Sequence, residues 1–285
     1  MLAALFVCLP LSAQPKRPPI VGVAHISLKI SNLAGTRKFY GDGLGFAEAF
    51  QAGASTYFKV NDHQYIQVTP GLKDDSEDRL LHIAFETADV RKLRDYLASK
   101  GVAVPDKAVP NPEGDLSITV HDPEGREIEF LEYTRGSLTR HNFGKALAPN
   151  RISERIIHCG FIVQDRAAED RFWKDILEFH EMWHGGMTDD RTDWIDMRVP
   201  EGSDWLEYML NQPHPSVRTR GVMNHLALGV PSAAKAYEKV EAIAKEKPKI
   251  GRDGKWQLNL YDPDQTRAEL MEPAPVQKPC CSEFK

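Results

Sequence analysis

Four histidines occupy matching places in four similar segments of this 285-residue sequence. Each histidine lies early in a stretch where polar and apolar residues alternate, as they do in a half-buried strand. The four histidines are His25, His82, His158 and His225. A later alternating stretch of each segment carries a second candidate ligand, and these four are Gln67, Glu129, Glu207 and Glu269. Imidazole and carboxylate groups in this combination suit a divalent transition metal.

The strand periodicity places these residues on one face of a sheet. Successive side chains of a strand point to opposite faces. His25 therefore shares a face with Ser27, whereas Ile26 and Leu28 point the other way. The apolar face must pack against a helix, and the polar face must line a cup, a pocket or solvent. A solvent-exposed sheet would explain the acidic residues, but it does not explain a histidine in all four segments.

Each segment is predicted to fold as one strand, one helix and three short strands. The predicted helices span residues 32–46, 89–102, 165–179 and 232–247. The first and third helices end in an aromatic pair followed by the pattern x-Asp-x-Leu-x-Phe, whereas the second and fourth segments share an Asp-Pro turn before their last strand. This ABAB order indicates two duplicated halves of two modules each. It leaves open whether the modules pair within a half or across the halves.

The sequence divides into these two halves and their flanking segments. Residues 1–13 are uncharged and apolar and end in Leu-Ser-Ala, which favours a secretory signal peptide over a buried first strand. The other predicted boundaries are a linker at 14–20, a first domain at 21–134, a second linker at 135–154, a second domain at 155–273 and a C-terminal tail at 274–285. We therefore expect a periplasmic or secreted protein without a membrane segment after signal removal. The tail, which contains Cys280 and Cys281, is expected to be disordered.

The composition is that of an ordinary globular protein, with 41% hydrophobic and 27% charged residues. A net charge of −5 gives no electrostatic basis for binding nucleic acid. Four cysteines are too few for a disulfide framework. The expected partner is a small-molecule substrate, and a homodimer is one assembly that the sequence allows.

Three motifs carry a family resemblance. The helix ending FY-x-D-x-LGF, the strand HIAF and the ending DPEG-x-x-IEF occur together in the first half. Over residues 20–272 the sequence resembles the vicinal oxygen chelate superfamily, which includes glyoxalase I, bleomycin-resistance proteins and extradiol dioxygenases. The resemblance implies an α+β fold, in which four βαβββ modules form two glyoxalase-like domains. Each domain would be a cupped sheet of two paired modules around a metal.

The resemblance also implies the metal ligands and the chemistry. The implied ligands are His25, Gln67, His82 and Glu129 in the first half, and His158, Glu207, His225 and Glu269 in the second. Two sets of four resemble glyoxalase I, although Gln67 replaces a carboxylate. The implied cofactor is a divalent metal, namely zinc, nickel, iron, cobalt or manganese. The implied activity is that of a lyase or isomerase, in which the metal chelates two adjacent substrate oxygens while Glu129 or Glu269 removes a proton.

Two other functions remain open at this point. Extradiol dioxygenases hold their metal with two histidines and one glutamate, typically in the second half only. The tyrosine that their pattern places before the Asp-Pro turn is here Thr119 in the first half and Asn259 in the second. A non-catalytic binding protein would use the same cup without turnover.

The walls of the second cup follow from strand periodicity. Trp194 and Arg198 share one face of their strand, and Trp205 shares a face with Glu207. We therefore expect Trp194, Arg198 and Trp205 to bind the substrate, the alternative being a solvated strand with one stray tryptophan. Because the second ligand set has two carboxylates and the first has one, we also expect the second half to bind the metal more tightly.

Overall fold

Each half of the chain forms one curled, eight-stranded sheet. The structure, a computed structural model, describes residues 15–285, so the predicted signal peptide lies outside the described residues. The strands of the first sheet are β1 (Ile20–Ile30), β2 (Glu48–Ala52), β3 (Ser55–Lys59), β4 (Tyr65–Pro70), β5 (Leu80–Thr87), β6 (Val109–Pro110), β7 (Leu116–His121) and β8 (Glu127–Glu132). The strands of the second sheet are β9 (Ile156–Ile162), β10 (His180–Gly185), β11 (Trp194–Arg198), β12 (Trp205–Met209), β13 (His225–Gly229), β14 (Lys249–Ile250), β15 (Trp256–Tyr261) and β16 (Arg267–Met271).

The strand order shows that modules pair within each half. The first sheet has the order β2-β3-β4-β1-β5-β8-β7-β6, and the second repeats it as β10-β11-β12-β9-β13-β16-β15-β14. The first strands of two consecutive modules meet antiparallel at the centre of each sheet. Each of them also pairs in parallel with the last strand of its own module. The predicted α+β fold of four βαβββ modules in two cupped-sheet domains is confirmed.

The helices follow the first strand of each module, with two additions. They are α1 (Leu33–Thr36, continued by a π-helix at Arg37–Gly43), α2 (Val90–Ser99), α3 (Leu138–His141), α4 (Arg166–Asp170, continued by a π-helix at Arg171–Ile176), α5 (Val217–Met223) and α6 (Ala233–Val240). The short helices α3 and α5 were not predicted, and α6 ends before residue 247. Both π-helical segments contain a buried aromatic pair, such as Phe39 and Tyr40. The wider turn brings these consecutive rings toward the same core.

The helices and the apolar sheet faces of both halves form one hydrophobic core. Phe85 on β5 lies 5.7 Å from Trp173 and 5.5 Å from Phe179, measured between ring centroids, and both of these rings belong to the second half. Polar contacts also cross the boundary, because the Tyr40 hydroxyl donates to Asp262 at 3.3 Å. The two halves are therefore packed against each other rather than joined only by the linker.

The C-terminal tail packs on the second sheet, so the expectation of a disordered tail is wrong. The backbone amide of Cys280 donates to the carbonyl of Arg252 at 2.7 Å, in the turn between β14 and β15. Phe284 stacks on Trp183 of β10 with centroids 6.1 Å apart, and Cys280 is disulfide-bonded to Cys281. Since β10 and β14 are opposite edges of the sheet, the tail bridges the two sides of the second cup.

Helices of membrane-spanning length and hydropathy do not occur within residues 15–285.

Candidate metal centres

The first cup brings together three of its four predicted ligands. His25 on β1, His82 on β5 and Glu129 on β8 lie on adjacent strands of the first sheet. The two Nε2 atoms are 2.8 Å apart, and Oε2 of Glu129 lies 3.3 Å from Nε2 of His25 and 3.4 Å from Nε2 of His82. Their alternation on the strands thus places all three side chains toward one point.

Gln67 lies on the same face of the first sheet, one strand away from His25. It pairs in register with Ser27, which in turn pairs with His82. The side-chain amide of Gln67 donates to Ser55 at 3.1 Å. Its carbonyl oxygen Oε1 is buried without a hydrogen-bond partner. A buried carbonyl oxygen without a donor is costly, and coordination of a metal is one way to satisfy it.

Charge in the first cup suits a cation. Burial alone would raise the pKa of Glu129, but hydrogen bonds from His25 and His82 outweigh it and hold that pKa well below its usual range. Burial lowers the pKa of His25, so this imidazole is neutral near pH 7. The other oxygen of Glu129 accepts from Asn111 at 3.1 Å. A neutral imidazole and an oriented carboxylate are the forms that bind a metal.

The second cup repeats the arrangement and adds a carboxylate. Nε2 of His158 on β9 lies 3.0 Å from Nε2 of His225 on β13. Oε2 of Glu269 on β16 lies 3.6 Å from each of these nitrogens. Oε2 of Glu207 on β12 lies 3.4 Å from Nε2 of His225. All four predicted ligands of the second half are therefore brought together.

Gly160 makes room for the imidazole of His225. It lies on β9 between Glu207 and His225 on the neighbouring strands. A Cβ atom at Gly160 would come within 2.0 Å of Cε1 of His225, so the ring occupies the space that a side chain would take. The corresponding residue of the first half is Ser27. The sequence difference between the segments HISL and HCGF thus has a structural reason in the site.

Arg267 is a site residue that the sequence-based prediction missed. Its Nη2 lies 2.7 Å from Nδ1 and 2.8 Å from Nε2 of His225, and 3.8 Å from Oε2 of Glu207. The Nδ1 atom of His225 is also 2.8 Å from the carbonyl of Met223 in α5. Strand alternation could have identified Arg267, because Arg267 lies two residues before Glu269 and therefore on the same face of the strand. Nothing comparable pointed to Met223, since α5 itself was not predicted.

Burial has the largest effect on the pKa values of the glutamates and of His225 in the second cup. It raises the pKa of Glu269 to about 7, against the lowering effect of Arg267. It raises the pKa of Glu207 well above the usual range, and the neighbouring Asp196 and Glu269 add to this. Burial, with Arg267 nearby, also holds the pKa of His225 well below its usual range. A divalent cation in the cup would favour the ionised carboxylates.

A cavity of 390 Å³ opens onto the second cup, with Glu207, Glu269 and Arg267 in its wall. Trp194 lines this cavity as predicted. Trp205 is buried, with its ring centroid 5.1 Å from that of His158, so it supports the ligand rather than the substrate space. Arg198 pairs with Trp205 in the sheet and does not line this cavity.

Lys255 is a second site residue that the sequence-based prediction missed. Its side chain is buried, and Nζ lies 4.5 Å above the ring of Trp205 and 4.5 Å from the ring of Phe284 in the tail. Nζ is also 3.6 Å from a carboxylate oxygen of Asp253. Phe284, Lys255, Trp205 and His158 therefore form a continuous stack from the tail to the ligands.

Both clusters have the donor types and spacing that a divalent metal requires. In each half, atoms of two histidines and one glutamate lie within 4.8 Å of one another, namely in the groups His25, His82 and Glu129, and His158, His225 and Glu269. Donor atoms about 2.0–2.2 Å from a common metal lie at separations of this order. The unpartnered Oε1 of Gln67 supports a fourth ligand in the first cup, and Glu207 is the corresponding residue in the second.

Comparison with solved structures gives the same fold. Homoprotocatechuate 2,3-dioxygenase from Brevibacterium fuscum, in its complex with 3,4-dihydroxyphenylacetate, matches with a TM-score of 0.66 at 18% identity, covering 96% of this chain and 87% of that one. The 2,3-dioxygenase LapB from Pseudomonas sp. KL28 matches with a TM-score of 0.71 at 16% identity, covering 93% and 97%. A search among curated proteins gave no match.

The sequence itself matches one family model in both halves. The matched residues are 22–130 and 155–270, which correspond to the two sheets and their helices. The match covers most of the chain and includes all eight predicted metal ligands. The chain belongs to the Glyoxalase/Bleomycin resistance protein/Dioxygenase superfamily.

Proposed function

We propose that this protein is a divalent-metal-dependent enzyme that acts on a small substrate through two adjacent oxygens, with glyoxalase-like lyase or isomerase chemistry in the second cup. The observation that carries this proposal is the pair Glu207 and Glu269, which both reach His225 and both line the cavity. One carboxylate can hold a metal while the other moves a proton. A bound divalent metal would polarise the two substrate oxygens as a Lewis acid.

The distances favour different roles for the two glutamates. Glu269 lies equally far, 3.6 Å, from both imidazoles, so it is better placed as a metal ligand. Glu207 approaches only His225 and has the more exposed side chain, 14% against 5%. We therefore assign the proton transfer to Glu207, whereas the sequence alone favoured Glu269. Trp194 and Arg267 would form the wall against which the substrate lies.

Exchange of glutamate for glutamine separates these roles, because glutamine keeps an oxygen donor but cannot accept the proton. The reaction to follow is exchange of the carbon-bound hydrogen of 2-oxoaldehydes, 2-hydroxyaldehydes and their thiol adducts in deuterated water, measured by NMR. Glu207→Gln should retain the metal and lose about 10²–10⁴ in rate. Glu269→Gln keeps an oxygen donor but not the charge, so it should weaken metal binding at the second site and retain much of the rate at saturating metal. A Glu207→Gln variant with near-normal exchange would overturn the assignment.

An extradiol-type dioxygenase is the second candidate. His158, His225 and Glu269 form the two-histidine, one-carboxylate set found in non-haem iron oxygenases, and the superposed dioxygenases share the fold. Asn259, which lines the cavity, is an amide where the dioxygenase pattern has a tyrosine. Oxygen uptake with catechols by the iron-loaded protein, and no hydrogen exchange, would favour this candidate. Binding of either substrate class without turnover would indicate a non-catalytic binding protein.

Export of the chain is a separate proposal, supported by the apolar segment at residues 1–13 and its small-residue ending. Mass spectrometry of the protein from its native host should find an N-terminus near Gln14. A cytosolic protein that retains Met1 would contradict it.

A further inference from the structure

The guanidinium of Arg267 lies against the imidazole of His225, one of the four predicted ligands of the second cup. The carbonyl of Met223 can only accept a hydrogen bond, so Nδ1 of His225, 2.8 Å away, carries the proton. The lone pair of His225 is therefore on Nε2. Nη2 of Arg267 lies 2.8 Å from Nε2 and 2.7 Å from Nδ1, so the guanidinium nitrogen lies against the ring between its two nitrogens. The same Nη2 is 3.8 Å from Oε2 of Glu207. The guanidinium thus faces two of the four predicted ligands of the second site.

The first cup has a different residue at the corresponding position. Arg267 pairs in register with His225, and Glu127 pairs in register with His82. Glu127 is exposed, so it adds no buried cation to the first cup. The second cup has one carboxylate more than the first, but the charge of Arg267 offsets it. The extra carboxylate alone therefore does not make the second site the stronger one.

We propose that Arg267 makes the two metal sites unequal, because its positive charge lies against the imidazole of His225 and beside Glu207, where it opposes the binding of a divalent ion. The first site fills at low metal concentration, and the second fills only as the guanidinium moves away from the imidazole. This order reverses the expectation from the ligand charges alone. The inference rests on the proposed metal dependence and not on the proposed reaction.

A titration of the metal-free full chain with Co²⁺ tests the proposal, because the absorption spectrum of the ion reports ligands at each site. We expect two steps in the wild type, with dissociation constants that differ by about tenfold or more, since a unit charge within a few ångströms of a divalent ion has an effect of at least this size. His25→Ala should remove the first step, and His158→Ala should remove the second.

Two substitutions of Arg267 separate charge from folding. Arg267→Gln removes the charge and should tighten the second step by about tenfold or more while leaving the first unchanged. Arg267→Lys keeps a positive charge and should leave the second step weak. Glu127→Gln is the matched control at the same register of the first sheet and should leave the second step unaltered. Circular dichroism of each variant establishes that it is folded.

Three results would overturn the proposal: two equal steps in the wild type, a stronger second-half site, or an Arg267→Gln variant whose second step does not tighten. Absence of any metal binding would also overturn it, together with the proposed metal dependence of the enzyme. Two unequal steps with no hydrogen exchange on any substrate would leave the inequality of the sites intact and remove only the proposed reaction. The binding measurement contains no substrate, so the two failures are distinguishable.

Discussion

Gly160 shapes the second site by lacking a side chain rather than by supplying a ligand group. Its missing Cβ is what allows His225 to lie against β9, because the added atom would fall within 2.0 Å of the ring. Real Cβ contacts do not occur at that distance, and Nδ1 of His225 is also hydrogen-bonded to the carbonyl of Met223. A methyl group at Gly160 must therefore move the imidazole away from His158 and Glu207.

We expect Gly160→Ala to remove metal from the second site and to leave the first site occupied. Elemental analysis of the metal-loaded protein should show the loss of one bound ion per chain, and urea unfolding should show some destabilisation, because the core must accommodate the moved ring. Gly136→Ala is the control, since a Cβ there meets no atom within 4 Å. Unchanged metal content in Gly160→Ala would contradict this prediction, because it would show that the imidazole of His225 can move and the second site still bind the metal.

The placement of the candidate ligands on one face of each sheet was predictable from the sequence, because strand alternation needs no tertiary information. His25, His82 and Glu129 each lie in a strand where polar and apolar residues alternate, and this alternation fixes the face to which each side chain points. Arg267 followed the same rule and was overlooked. Lys255 could not be found in this way, because its environment consists of Trp205 from another module and Phe284 from the tail. Contacts between distant segments depend on packing that local periodicity does not encode.

At the scale of elements, the Asp-Pro turn between β15 and β16 joins the halves. Asp262 accepts hydrogen bonds from the backbone amides of Asp264 and Thr266, which closes the turn. It also accepts from the hydroxyl of Tyr40 in the first half. Burial raises the pKa of Asp262 to about 7, and Asp264 adds to this against the lowering effect of the Thr266 amide.

This shift predicts a pH dependence of stability. Because the folded protein binds the proton of Asp262 more tightly than the unfolded chain does, its contribution to stability is lost as the pH rises from about 4 to about 7. Asp262→Asn cannot ionise, so its stability relative to the wild type should increase over that range. Urea unfolding of both proteins at several pH values measures the difference. A difference that is constant with pH would contradict the raised pKa.

The packing of the C-terminal tail leads to a prediction about the reactivity of Lys255. Phe284 covers Lys255 and Trp183, so Phe284→Ala should expose the Lys255 amine. We expect its modification by an amine-specific reagent to increase severalfold, as measured by peptide mass spectrometry. Val276→Ala is the control in the same tail, because Val276 is 53% exposed and should not protect the lysine. Equal modification in both variants would show that the tail does not close this side of the cup.

The sequence predicted the order of strands and helices in each module, but it did not predict every element. The strand-helix-strand order of each module follows from hydrophobic periodicity and from helix N-caps such as Asp89 and Ser232, which hold backbone amides as the sequence implies. The π-helical continuation after Thr36 was not predicted, because it depends on packing of two adjacent aromatic rings. The ordered tail was not predicted either, since its backbone hydrogen bonds are to residues far away in the sequence.

At the scale of the whole molecule, the shared core sets how the halves unfold. Phe85 is fully buried and contacts aromatic rings of the second half. Its replacement leaves a cavity at the boundary of the halves and not within one of them. The helices on both sides therefore lose packing together, and the two sheets are expected to unfold as one cooperative unit.

Phe85→Ala should lower the free energy of unfolding by about 3–5 kcal/mol and keep a single transition. Urea unfolding followed both by tryptophan fluorescence and by circular dichroism tests this, because all five tryptophans lie in the second half whereas the change is in the first. Coincident curves indicate one unit. A shift in circular dichroism without a matching shift in fluorescence would show that the halves unfold independently.

The pairing of modules within each half has a consequence for tolerance to mutation. Each half contains the histidines and the carboxylate of its own site, while the core that keeps the chain folded is common to both. A change at Gln67 or Arg267 would therefore alter one cup and leave the ligands of the other in place. A chain built in this way can change the donor atoms of one cup while the fold and the donor atoms of the other stay the same.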